Sequence, residues 1–154
     1  MTLRIARFLS LFCVALTLGL AFCHVMEIAG KLRLAGADWL TVQHNLYVAF
    51  GPPVGAGIEV AAVALTWLVA LLVRHRRPAF AWTVAAGLCV TLGMVEWGLV
   101  VAPVNDALNA WTAATLPPDW TSYRNQWELG HALHAGLFAL GFGALVIAIL
   151  AEAP

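Results

Sequence analysis

The chain has 154 residues, of which 62% are hydrophobic and 10% charged, and its formal net charge is zero; its mean hydropathy is +0.87. Soluble domains run at about 45–50% apolar and 25% charged residues, so this sequence belongs in lipid, as one helical unit with no room for a second folded domain. A neutral chain lacks the basic footprint that a phosphate backbone requires, which excludes nucleic acid as a partner.

Four stretches reach the roughly 20 apolar residues that a spanning helix needs: 3–28, 55–73, 79–104 and 127–150. Each is expected to be helical, because lipid offers backbone groups no outside partner. The expected fold is therefore an all-α, integral membrane four-helix up-down bundle occupying 1–154 as a single domain. The first stretch also resembles a signal peptide, with Arg4 and Arg7 as its basic start. Its long apolar run, and the bulky Phe22 before Cys23 where cleavage wants a small residue, favour a retained span.

The connections set the orientation. Arg4 and Arg7 precede the first span and Arg74, Arg76 and Arg77 fill the turn after the second, so five of the eight basic residues share one side. The positive-inside rule then places both termini in the cytoplasm and the longer connections, 29–54 and 105–126, outside. Trp39, Tyr47, Trp111, Trp120, Tyr123 and Trp127 fall in or beside those connections, as an interfacial aromatic belt does. Asp38 is the expected N-cap of a short amphipathic helix running to about Phe50, where Gly51-Pro52-Pro53 ends it. Pro117-Pro118-Asp119 stops one segment and starts the last helix. The expected location is the plasma (inner) membrane of a bacterium, with the lipid bilayer as partner; a homo-oligomer is compatible with the sequence. Cys13, Cys23 and Cys89 lie in apolar runs without CxxC spacing and read as small core residues.

Ionisable groups in lipid cost up to about 2.5–3.5 kcal/mol each at the bilayer centre and so mark functional or paired positions. Here every span carries some: His24 and Glu27, then Glu59, then Glu96, then Glu128, His131 and His134. In an up-down bundle these positions fall at one depth, near the outer leaflet. His24-Val-Met-Glu27 and Glu128-Leu-Gly-His131 each put a carboxylate and an imidazole three residues apart on one helical face. Two helices with single glutamates and two with such pairs form the ligand inventory of di-iron carboxylate bundles, with the order reversed in the first pair. His24, Glu27, Glu59, Glu96, Glu128, His131 and His134 are therefore candidate ligands for a transition metal: iron, copper, manganese or zinc.

Plainer roles stand beside these. Arg124, four residues before Glu128, has the spacing of an ordinary ion pair. Glu27 is close enough to the headgroups to be merely solvated, and His24, His131 and His134 each suit a hydrogen-bonded packing role. His44 and His75 lie in connections and read as solvated. Ala135, Ala139 and Gly143 recur every four residues as a packing stripe.

The run Val101-Ala102-Pro103-Val104-Asn105, then Trp111, Pro118-Asp119-Trp120 and Arg124-Asn125-Gln126-Trp127-Glu128-Leu129-Gly130-His131, resembles the DUF1772 family of small four-helix membrane proteins, which includes the anthrone oxygenase-like proteins. The resemblance implies a signature polar set of Asn105, Arg124, Trp127, Glu128 and His131, with Asn105, Arg124 and Trp127 as cofactor-binding positions. Where the family pattern leads one to expect an arginine soon after the histidine, this chain has His134.

Together these readings point to a membrane oxidoreductase or oxygenase acting on a hydrophobic aromatic or quinone-like small molecule that arrives from lipid. Glu59, Glu96 and His131 are the expected catalytic residues, with or without a metal. Two alternatives compete: a b-type haem module with His24 and His131 as axial ligands, and a proton-coupled carrier or accessory subunit using the carboxylates as a relay.

Overall fold

A computed structural model describes residues 2–152; Met1, Ala153 and Pro154, the ends of the expected domain, lie outside the described residues. The described chain is helical: α1 (Thr2–Lys31), α2 (Gly36–Leu46), α3 (Val54–Leu72), α4 (Ala79–Glu96), a π-helical turn (Trp97–Val101), α5 (Ala102–Asn109) and α6 (Trp120–Leu150). Four helical segments are long and apolar enough to cross a membrane: α1, α3, the continuous Ala79–Asn109 segment and α6.

Three of these segments outrun the apolar stretches that mark them. α1 continues to Lys31, α6 begins at Trp120, and the third segment passes through Pro103 to Asn109. Proline has no N–H and its ring crowds the carbonyl four residues back, that of Leu99. The chain absorbs this by widening a turn: the N–H of Ala102 donates to the carbonyl of Trp97, five residues earlier. The helix therefore survives a proline that marks its expected end.

α1 packs on α3 and α6, and α4 packs on the same two helices. Small residues and a few large ones fill the middle: Val14, Ala62, Ala86, Val90, Phe138, Ala144 and Leu145. Where hydrophobic burial gives little preference for protein over lipid, close packing and interhelical hydrogen bonds hold helices together. Two such bonds are present, Ser10 to Thr66 at 2.9 Å and Trp67 Nε1 donating to Thr91 at 3.0 Å. Arg7 donates to Glu152 at 2.6 Å and Arg76 lies 3.8 Å from the same carboxylate, so the start of α1, the α3–α4 turn and the end of α6 meet at one end of the bundle.

At the opposite end α2 and α5 form a cap. Trp39, Leu40, Val101, Val104, Leu108 and Trp127 pack into one buried cluster there. Ala35, not Asp38, holds the N-cap position of α2, and no side chain caps it; Asp38 lies in the first turn, where its charge opposes the helix dipole favourably. The helix stops at Leu46, short of the expected Phe50, because Tyr47 turns inward to a buried carboxylate.

The expected small-residue stripe is also corrected. Ala135 is buried, but Ala139 is exposed, and a Cβ on Gly143 would meet nothing. The close approaches on α6 are at Gly130 and Gly141 instead, where a Cβ would come within 2.6 Å of Val101 and 2.8 Å of Val90. Gly141→Ala is therefore expected to destabilise the bundle by about 1–3 kcal/mol through overpacking, and Gly143→Ala to be close to neutral. Thermal unfolding of both variants in detergent checks the contrast, and equal behaviour would count against this helix register.

Candidate functional site

The ionisable residues of the four spans do come together, as two linked groups. Near the cap, Lys31 extends from the last turn of α1 and puts its Nζ 3.0 Å from Glu128 of α6 and 3.6 Å from Glu27. Its ammonium also sits 4.4 Å from the centre of the Trp127 ring, an arrangement that favours a cation. Tyr47 donates its hydroxyl to Glu27 at 2.5 Å. Burial, then that hydrogen bond, push the Tyr47 hydroxyl well above its ordinary pKa, so it stays a donor.

Deeper in the bundle His134 lies between two carboxylates, with Nε2 3.8 Å from Glu59 and Nδ1 3.8 Å from Glu96. Its Nδ1 is also 3.1 Å from the carbonyl of Gly93, which orients the ring. His24 and His131 bridge the two groups: their rings lie 4.2 Å apart, each edge-on to Trp127 at 4.8 and 4.1 Å. Phe50 closes over His24 at 5.1 Å.

These groups wall a cavity of about 890 Å³, well within the range of small-molecule sites. His24, His131, His134 and Glu59 form its polar face; Tyr47, Phe50, Trp97 and Trp127 supply aromatic surface; Gln43, His44, Asn105 and Asp106 add polar groups from α2 and α5. Glu96 stands behind His134 and reaches the cavity through it. Glu27 and Glu128 are held back by Lys31.

Several residues differ from their expected roles. Arg124 does not pair with Glu128; it reaches Asn125 and the carbonyl of Leu32 and lies over Trp120, outside the cavity. Lys31 takes that partnership because it approaches Glu128 from another helix inside the bundle, whereas Arg124 stays at the surface. Asn105 and Trp127 do meet, Trp127 Nε1 donating to Asn105 at 2.8 Å. His44 lies beside the cavity and contacts the carbonyl of Leu108 at 3.0 Å, so it is not merely solvated. Lys31, Tyr47 and Phe50 were not marked as site residues by the sequence. Glu27 and Lys31 stand four apart, a spacing that could have flagged the lysine.

The seven candidate ligands do not close on one point. Glu59 and Glu96 face opposite nitrogens of one imidazole, and a single ion can take only one of them. The cation between Glu27 and Glu128 is Lys31 itself. Among the described residues no three His, Cys, Asp or Glu side chains gather as ligands. His24 and His131 touch, which leaves no slot for a macrocycle between them. Several buried atoms nevertheless lack a hydrogen-bond partner: Nδ1 of His24 and of His131, Oε1 of Glu59 and both oxygens of Glu96. Unsatisfied groups in such number are characteristic of a site that binds something polar. No family model, curated protein or solved structure matches the chain.

Lys31 at the junction of α1, α6 and α2 carries a stability prediction. Lys31→Met leaves two buried carboxylates facing each other and is expected to cost about 3–5 kcal/mol. Adding Glu128→Gln is expected to recover part of that loss. Denaturant titration of the single and double variants measures the coupling, and strict additivity would dissolve the proposed network.

Proposed function

We propose that this chain is a membrane oxidoreductase, of oxygenase type, that binds a flat hydrophobic aromatic or quinone-like molecule among His24, His131, His134 and Glu59. The observation that carries this reading is the cavity of about 890 Å³, walled by three imidazoles and a carboxylate on one side and by aromatic rings on the other. The rings suit a planar apolar body, and the unpartnered imidazole and carboxylate atoms suit its carbonyl or hydroxyl groups.

The arrangement favours proton transfer. His131 is placed to take a proton from an activated C–H or O–H of the bound molecule, and His134 lies one turn further along α6 with Glu59 and Glu96 beside it. Those 3.8 Å contacts are less than 1 Å longer than hydrogen bonds, a gap that commonly closes when substrate binds. For an anthrone-like methylene, the carbanion left behind combines with dioxygen. The resulting hydroperoxide takes back a proton and loses water. The methylene becomes a carbonyl, one dioxygen is consumed and one water is released.

The geometry favours a route in which the residues move protons and dioxygen supplies the oxidant, because the ligand candidates are split between Lys31 and the two faces of His134. Elemental analysis of the purified protein beside Glu59→Ala and His131→Ala variants tests this. Substoichiometric iron, copper, manganese and zinc in all three is the expected result. A stoichiometric metal lost from either variant would replace the route with a metal-dependent one.

We place the site toward the outer leaflet of a plasma membrane, with the helices alternating in direction and both termini in the cytoplasm. The basic residues Arg4, Arg7, Arg74, Arg76 and Arg77 support that orientation, as does the gathering of Arg7 and Arg76 around Glu152 at the end remote from the cavity. His131→Ala and Glu59→Gln are expected to slow conversion of an anthrone to its quinone by roughly 10²–10⁴-fold. Oxygen uptake and the quinone absorbance of protein-bearing membranes read this directly. Undiminished turnover in both folded variants, or no turnover in the wild type, would count against the assignment.

A further inference from the structure

A second concavity, of about 380 Å³, lies on the outside of the bundle between α1 and α3. Ala15, Leu16, Gly19 and Leu20 form one wall, and Val54 and Ile58 the other, with Ala49 and Phe50 at one end. Its origin is steric. Further along, α1 and α3 are held close by the Ser10–Thr66 hydrogen bond and the packing of Val14 and Ala62. At Ala15 and Gly19 the side chains are too small to fill the space opposite Val54 and Ile58, and the loop carrying Ala49 and Phe50 spans the gap. A Cβ on Gly19 would meet nothing within 4 Å.

Leu20 and Phe50 line this groove and also line the His/Glu cavity. The two spaces are therefore separated by side chains alone. Phe50 stands on a loop, half-buried, against His24 and Tyr47. The cavity is polar on its inner face, whereas every residue of the groove is apolar. This is the division expected for a molecule with a polar planar head and an apolar tail.

We propose that the ligand of the cavity is a tailed amphiphile whose alkyl or isoprenoid chain passes Leu20 and Phe50 and lies in the groove between α1 and α3. This rests on the cavity being a binding site for an aromatic or quinone-like head. It narrows the substrate class to molecules that are themselves membrane lipids, and it makes Gly19 a specificity-determining position. A larger side chain at Gly19 would occupy the tail's path without touching the head site. Because that position is open, the substitution leaves the packing of the bundle unchanged.

The test compares two probes, 2,3-dimethoxy-5-methyl-1,4-benzoquinone with and without a decyl substituent, by quenching of tryptophan fluorescence in detergent-purified protein. Trp97 and Trp127 line the cavity and report on the head. Gly19→Leu is expected to weaken the decyl probe about tenfold, the loss expected for roughly two buried methylenes, and to leave the tailless probe unchanged. Gly57→Leu, equally open but outside the groove, serves as the control and is expected to change neither. If Gly19→Leu weakens both probes equally, or leaves decyl binding intact while the wild type binds both, the groove does not hold the tail; the second outcome is also the one expected if a bilayer phospholipid chain occupies it. If the wild type binds neither probe, the head site itself fails, and the tail proposal with it.

Discussion

A charged amine buried inside an apolar bundle persists only if anions meet it there, and Lys31 is the clearest instance of that constraint in this protein. Its side chain is 4% exposed, between Glu128 of α6 and Glu27 of its own helix. Each of those carboxylates depends on the lysine in turn, since a buried ion without its partner is far more costly than the pair. Tyr47 extends the dependence to the segment after α2 by donating to Glu27. One ammonium thus joins two spanning helices and the cap that covers them. The imidazoles of His24 and His131 lie directly beneath, so the same contacts that hold the cap in place also shape the upper wall of the cavity.

Below that layer the polar groups change character. His134 has carboxylates on either side and a backbone carbonyl to orient it, but no cation among its partners. Several atoms at this level have no hydrogen-bond partner. Lipid-embedded proteins seldom leave such groups unsatisfied for structural reasons. The contrast between a satisfied upper network and an unsatisfied lower one identifies the lower one as the working part of the site, and the aromatic side of the cavity indicates the kind of molecule that completes it.

Much of this was legible in the sequence. The four apolar stretches identify the spans, and the placing of His24, Glu27, Glu59, Glu96, Glu128, His131 and His134 near corresponding helix ends brings them together once the helices pack. What the sequence does not carry is which helix faces concentrate which partners. Arg124 has an ideal local spacing to Glu128, yet the pair is made by Lys31, 97 positions away in the chain, because that lysine comes from a neighbouring helix on the inside. The evenly spaced Ala135, Ala139 and Gly143 suggest a contact face, whereas contact is made at Gly130 and Gly141, which the packing of α4 and the π-helical turn selects. Pro103 reads as a helix end, and only the backbone reveals that a widened turn carries the helix past it. Local periodicity fixes which elements form. Side-chain partnership is decided by rotation of one helix against another, which short-range spacing does not encode.

The widened turn also constrains how this chain can change length. A π-helical turn holds one residue more than the α-helical geometry around it needs. Deleting a single residue from Trp97–Val101 would rotate everything beyond it by about 100° relative to α4. Asn105 would then swing away from the Trp127 indole that it now accepts from, and Asn105 and Asp106 would leave the cavity together. Insertions and deletions in the 111–118 connection only lengthen or shorten a surface path. The same event a dozen residues earlier would dismantle one wall of the pocket while leaving composition and hydropathy almost untouched.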